Sequence, residues 1–104
     1  MSEQDNPFDH SRIDDVIHGR LRLGIMAYLS AASPAIFGEL KEKVGATDGN
    51  LSTHLRKLEE AGYVRQEKRF VGRRPQTRIH LTANGRKAWL LWISQMQGLM
   101  KAAE

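Results

Sequence analysis

The chain contains no cysteine. That removes disulfides, thiolate metal sites and a cysteine nucleophile from consideration. No apolar run approaches the roughly 18 residues that would suggest a membrane span. The opening Met1-Ser-Glu-Gln-Asp-Asn-Pro7 is polar and acidic, unlike a secretory leader. A cytoplasmic location without a membrane partner is therefore expected. The means of catalysis are lacking as well. Gly45 and Gly49 have neither the spacing nor the following Lys-Ser/Thr of a phosphate loop. Asp14-Asp15 and Glu59-Glu60 are adjacent on helices and point different ways, so they read as helix-start and surface charges rather than acid pairs in a pocket. The reading is of a protein that is not an enzyme, with no catalytic residue and no cofactor.

What is present is a lopsided distribution of charge. With 104 residues, one compact domain is expected. The formal net charge is +4. Between Ser52 and Lys87 ten Lys or Arg face three acids, a local +7, which leaves −3 for the remainder. A basic half beside a mildly acidic half fits a protein with one side turned to a polyanion.

The basic half is organised around Thr47-Asp-Gly-Asn-Leu-Ser-Thr-His-Leu-Arg-Lys-Leu-Glu-Glu-Ala-Gly-Tyr-Val64. Thr47 suits an N-cap and Asp48 the positive end of a helix dipole. Leu51, Leu55 and Leu58 share one face, and Gly62 ends the helix where a left-handed residue is usual. Gly49, Thr53 and Arg56 point away from the leucines, with Asn50, Ser52 and Lys57 on the flanks. Short polar groups with cations nearby suit a helix that enters a DNA groove. His54 lies beside the apolar face, as a packing residue or a phosphate contact.

The rest of the chain is read around that helix. Residues 1–11 read as a flexible arm. A helix is expected over 12–31, with Ser11 as its cap and Asp14-Asp15 in its first turn; Gly19 and Gly24 weaken it, and a joint near His18-Gly19 would split it in two. Ser33-Pro34 ends it. Ala35-Ile36 suits a short strand, and Phe37 to Val44 a short helix stopped by Gly45. Two helices joined by a short Gly-containing turn, here within 36–62, form a helix-turn-helix. A hairpin follows over 63–81, with strands expected at 63–69 and 76–81 and a loop of Phe70 to Gln76 between them. Gly72 and Pro75 supply turn chemistry there, and Arg73 and Arg74 sit at the tip. Such arginines suit a narrow, electronegative minor groove. The last helix, 82–104, is capped by Thr82 and is apolar nearly all round. Trp89, Trp92, Ile93, Met96 and Met100 recur at helical spacing, and Leu90, Leu91 and Leu99 widen the stripe. A helix that must bury more than one face points to an interface. Together with Ile13, Val16 and Ile17 it is expected to build a homodimer.

The run LSTHLRKLEEAGYV, followed by a basic segment and then LTANG, resembles the recognition helix, wing and following helix of winged helix-turn-helix transcriptional regulators. It is most similar to the small MarR- and ArsR-like regulators. The resemblance implies a mainly α fold with a small β-hairpin (α+β): a three-helix core, a wing and a C-terminal dimerisation helix. It implies a homodimeric, sequence-specific regulator on a palindromic operator of double-stranded DNA, its reader helix in the major groove and its wing in the minor groove. Thr47, Gly49, Asn50, Ser52, Thr53, His54, Arg56 and Lys57 would lie at the reader helix. Lys68, Arg69 and Arg78 would hold phosphates, and Arg73 and Arg74 would enter the minor groove. Arg20 or Arg22 would reach a phosphate from the first helix. ArsR-like metal sensors use cysteines or His and acid pairs on the last helix. This chain has no cysteine and no histidine after His80, so no metal site is expected. No effector is legible, and a pocket for one would lie near Trp89 and Trp92. The competing reading is a winged-helix module whose basic tip binds an acidic protein partner.

Overall fold

The computed structural model describes residues 6–104; residues 1–5 of the expected arm lie outside the described residues. Four helices and three strands follow one another: α1 (Arg20–Ala32), β1 (Ala35–Ile36), α2 (Phe37–Val44), α3 (Asp48–Glu60), β2 (Val64–Val71), β3 (Arg74–Leu81) and α4 (Ala83–Ala102). The fold is mainly helical with a small antiparallel sheet, ordered β1-β3-β2.

The core is built by periodicity. Ile25, Met26 and Leu29 of α1, Leu40 of α2, and Leu51, Leu55 and Leu58 of α3 have no exposed surface, and Val64 and Ile79 close the cluster from the sheet. Each buried leucine or isoleucine contributes about 1.5–3 kcal/mol relative to leaving it in water. Helices α3 and α4 begin where a threonine side chain satisfies a free amide. Thr47 Oγ1 accepts the Asn50 amide at 3.2 Å, and Thr82 Oγ1 accepts the Gly85 amide at 2.9 Å. Gly62, at φ 83, ends α3, and the Tyr63 amide then donates to the Leu58 carbonyl at 2.9 Å. Gly85 is required for a different reason. A Cβ there would lie 2.1 Å from the Tyr63 carbonyl oxygen, so only glycine lets the first turn of α4 close on the base of the hairpin.

Two expectations are corrected. The helix expected from Arg12 begins only at Arg20. The Asp14 carboxylate accepts the amides of Val16 and Ile17, at 2.8 and 3.3 Å, which closes a local turn. The extended Gly19 then separates that turn from α1. Asp14, not Ser11, supplies the side-chain acceptor for free amides in this segment, and its second oxygen accepts the Tyr63 hydroxyl. The segment is thereby tied to the hairpin base. The hairpin is also longer than expected. Phe70 to Gln76 is not a loop: β2 and β3 pair through Phe70↔Pro75 and Val71↔Arg74. Gly72, at φ 64, and Arg73 alone turn the chain, the combination of a two-residue II′ turn. Val71 and Arg74 flank that turn as the hydrogen-bonded pair. Pro75 faces Phe70 at the next pair, where no amide is exchanged between the strands. On its other side β1 pairs only with Ile79 and Arg78, so the proline lies along an uncovered stretch of edge, where it is tolerated.

The molecule is elongated, with extents of 62 × 23 × 21 Å and a radius of gyration of 15.9 Å, against about 13 Å for a compact chain of this length. The hairpin strands and α4, which meet at Leu81-Thr82, are about 27 and 30 Å long.

Candidate nucleic-acid interface

The outward side of α3 is set by its buried side. Leu51, Leu55 and Leu58 fix the rotation of the helix, and Gly49, Asn50, Ser52, Thr53, Arg56 and Lys57 are consequently exposed together with Thr47. A surface pair, Lys41 Nζ to Asp48 Oδ1 at 3.0 Å, joins α2 to the first turn of α3.

The hairpin flanks one side of this helix. Strand alternation places Gln66, Lys68 and Phe70 on one face with Val64, and Arg65, Glu67, Arg69 and Val71 on the other. Lys68 and Gln66 meet Ser52, Arg56, Glu59, Thr77 and Phe37 around an open cleft of about 670 Å³. Lys68 and Arg56 therefore stand together. Arg69 and Arg78, expected to hold phosphates beside the reader, belong to the opposite face of the hairpin. Arg78 is half-buried there, its Nε donating to Gln76 Oε1 at 3.1 Å. On the same face His80 Nε2 lies 3.2 Å from Glu67 Oε1, and this contact, with Arg69 and Arg65 nearby, holds the Glu67 carboxyl below the ordinary carboxylate range. Arg73 and Arg74 are exposed at the tip. Among the described residues, no carboxylate forms an ion pair with Arg56, Lys57, Lys68, Arg69, Arg73 or Arg74.

Sequence reasoning missed the residue that bonds the helix to the hairpin. Glu59 Oε2 accepts the Gln66 amide at 2.9 Å, and its other oxygen accepts Gln66 Nε2 at 3.4 Å. No spacing rule marks a helix glutamate that reaches the following strand, and Glu59 reads as a surface charge.

On the other side of α3, His54 is half-buried. Burial, then the charges of Arg22 and Lys57, hold its imidazole below the usual histidine value. His54 Nδ1 and Arg22 Nε are both buried without a hydrogen-bond partner. Arg22 thus stands beside the reader helix, while Arg20 lines an open groove with Thr47 and Asn50.

The α4 end has the opposite character. Leu90, Leu91 and Met100 are about three-fifths exposed. Trp89, Trp92, Ile93 and Met96 are half-buried, as are Ile13 and Val16. Trp89 and Trp92 stack on each other with centroids 5.3 Å apart. Ile17 is corrected: it has no exposed surface and belongs to the chain's own core, because the turn closed by Asp14 folds it inward. Gln95 Nε2 donates to the Arg12 carbonyl at 3.0 Å. The cleft beside it, about 370 Å³, is lined by Ile13, Leu91, Gln95 and Leu99 but by neither tryptophan. Among the described residues no three His, Asp or Glu gather as a metal site would require, and no helix is long and apolar enough to cross a membrane.

Comparison with known proteins bears on this arrangement. The family described as "Winged helix DNA-binding domain" matches residues 21–100. An uncharacterized protein of Methanocaldococcus jannaschii is 38% identical over 89 residues, covering 86% of this chain and 97% of its own. The structure of a transcriptional regulator homologue protein from Pyrococcus horikoshii OT3 superposes with a TM-score of 0.80 at 28% identity, covering 86% of this chain and 88% of that one. A MarR-family transcriptional regulator from Silicibacter pomeroyi has the same fold, with a TM-score of 0.67 at 24% identity, over 85% of this chain and 58% of its own.

Proposed function

The chain belongs to the winged helix DNA-binding domain family, and from that premise we propose that it is a homodimeric, sequence-specific transcriptional regulator. Its fold is that of a transcriptional regulator homologue and of a MarR-family regulator. The observation that carries the proposal is the shared side of α3 and the hairpin, where exposed small polar residues and cations without carboxylate partners stand around one cleft.

The N-terminal half of α3 enters the major groove. Asn50, Ser52, Thr53 and Arg56 meet base edges, where a two-fold bond from Asn to adenine or Arg to guanine contributes about 1–3 kcal/mol of discrimination. Lys57, Lys68, Thr47 and His54 meet the backbone. Arg73 and Arg74 reach the minor groove, whose narrow stretches concentrate negative potential. The exposed leucines and Met100 of α4 pack against a second copy, since an apolar patch of this kind is costly in water. Two-fold symmetry then matches a palindromic site.

Sedimentation velocity of the full chain with a labelled 30-base-pair duplex, the one most enriched from a random pool, tests this. Two chains per duplex are expected, with a dimer present before DNA is added. One chain per duplex, or no complex at 150 mM salt, would contradict the proposal.

A further inference from the structure

One feature of the wing is not explained by cations. Phe70 is 73% exposed and Val71 53% exposed, the two residues immediately before the turn. Phe70 is the most exposed of the large apolar residues in the described chain, and nothing in folding calls for an aromatic there. Its position is definite. The ladder sets it directly opposite Pro75, which is itself exposed. Both belong to the face of the hairpin that carries Lys68 and Thr77, hence the side turned to Ser52 and Arg56 of the reader helix. The surroundings are cationic. Lys68, Arg69, Arg73 and Arg74 lie within four residues of Phe70 in the hairpin, and the one acid of this stretch, Glu67, is on the other face against His80.

We propose that Phe70 and Pro75 form an apolar wedge that enters the minor groove beside Arg73, packing on the sugars and a base step at the flank of the site. The occupant is identified by charge and by shape. A ring with Lys68 on its own face, Arg73 in the adjoining turn, and Arg69 and Arg74 on the reverse of the same hairpin is unsuited to another basic copy of the same wing, and it fits a polyanion that offers apolar sugar and base edges at the floor of a groove. Apolar side chains inserted between base steps from the minor-groove side are a known way to open and bend a duplex. The wedge rests on the proposed DNA-binding reading and adds what cations do not supply. Its contribution releases no counterions, so it does not depend on salt.

The test separates the wedge from the reading beneath it. Binding of the duplex most enriched from a random pool is measured by fluorescence anisotropy between 50 and 300 mM salt, for the full wild-type chain and for Phe70→Ser, Phe70→Leu and Arg73→Ala. Phe70→Ser is expected to weaken binding about tenfold, in proportion to the apolar area lost, with an unchanged salt slope. Phe70→Leu should recover most of the loss. Arg73→Ala should reduce the slope by about one. The exposure of Phe70 means that the thermal melting of Phe70→Ser should match the wild type. If Arg73→Ala reduces the slope while Phe70→Ser binds within twofold of the wild type, the wedge is wrong and the DNA-binding reading stands. If neither variant changes binding, the wing does not touch the duplex and the wedge fails with it; a wild-type chain that binds no duplex would overturn the DNA-binding reading itself. If Phe70→Ser instead changes sedimentation of the free chain and leaves DNA binding intact, the patch joins copies of the protein, and the wedge is again overturned.

Discussion

The two ends of the molecule are unfinished in opposite ways. At the wing and reader helix the surface carries cations that no carboxylate of the described chain neutralises. At α4 it carries leucines and methionine that no element of the described chain covers. The first lacks anions and the second lacks apolar surface. A compact monomer would need neither excess. On the proposed reading the chain is completed twice, once by a polyanion and once by an apolar partner, and the two completions respond differently to salt. Added salt weakens the first by screening and counterion competition, and leaves the second intact or strengthens it.

The sharpest way to break this comparison is to change one end and read both. Replacing Leu90 and Leu91 with glutamate should weaken self-association about 100-fold or more, as measured by sedimentation equilibrium. The monomer should melt as before, because both side chains are mostly exposed in it. If the variant still dimerises, α4 is not the interface. Replacing Arg73 and Arg74 with alanine should do the reverse: DNA affinity should fall about 10- to 100-fold at 150 mM salt and the salt slope by about two, with self-association untouched. An unchanged slope would remove the wing from the contact.

A third change lies at the junction and should leave both ends alone. The Tyr63 hydroxyl donates to Asp14, and this bond, then burial and the carboxylate charge, push its pKa up to about 12. The folded chain holds that proton more tightly than the unfolded one, whose tyrosine loses it near pH 10. The contribution to stability is therefore fully present below pH 10 and is lost as pH rises through about 12. Tyr63→Phe should cost about 1–2 kcal/mol in chemical denaturation at pH 7. It should also flatten the alkaline fall in melting temperature. A variant as stable as the wild type would show that the tie to Asp14 contributes nothing.

The smallest expected effect is the most diagnostic in sign. Glu59 is an acid beside the cleft, so charge alone predicts that Glu59→Ala tightens DNA binding. Its bonds to Gln66 hold the wing against the reader helix, which predicts weaker binding, about 3- to 10-fold, from a bond of roughly 1 kcal/mol. Glu59→Gln keeps an acceptor and should recover part of the loss. Tighter binding by Glu59→Ala would show that the angle of the wing is not set there.

Much of this was legible in the residues. Thr47, Gly62 and Thr82 act through their own backbone neighbours, and local chemistry announces itself in sequence. The leucine spacing in α3 fixes the outward face almost by arithmetic. What could not be read depends on contacts between distant segments. Asp14 closes a turn and reaches Tyr63, so the helix expected from Arg12 starts eight residues later, at Arg20. Ile17 follows that turn into the core. Pro75 looked like a loop residue because a proline within a strand is rare, and only the free edge of β3 shows why it is tolerated. The side of the hairpin on which each arginine stands depends on register, which the pattern Arg78-Ile79-His80-Leu81 hinted at and only pairing decides.

The most direct measurement is selection of bound sequences from a random duplex pool at 150 mM salt. The account predicts enrichment of one palindrome with half-sites about 10 base pairs apart, or a multiple of that. Recovery of no shared motif, with binding that fades smoothly as salt rises, would contradict it and leave only charge attraction.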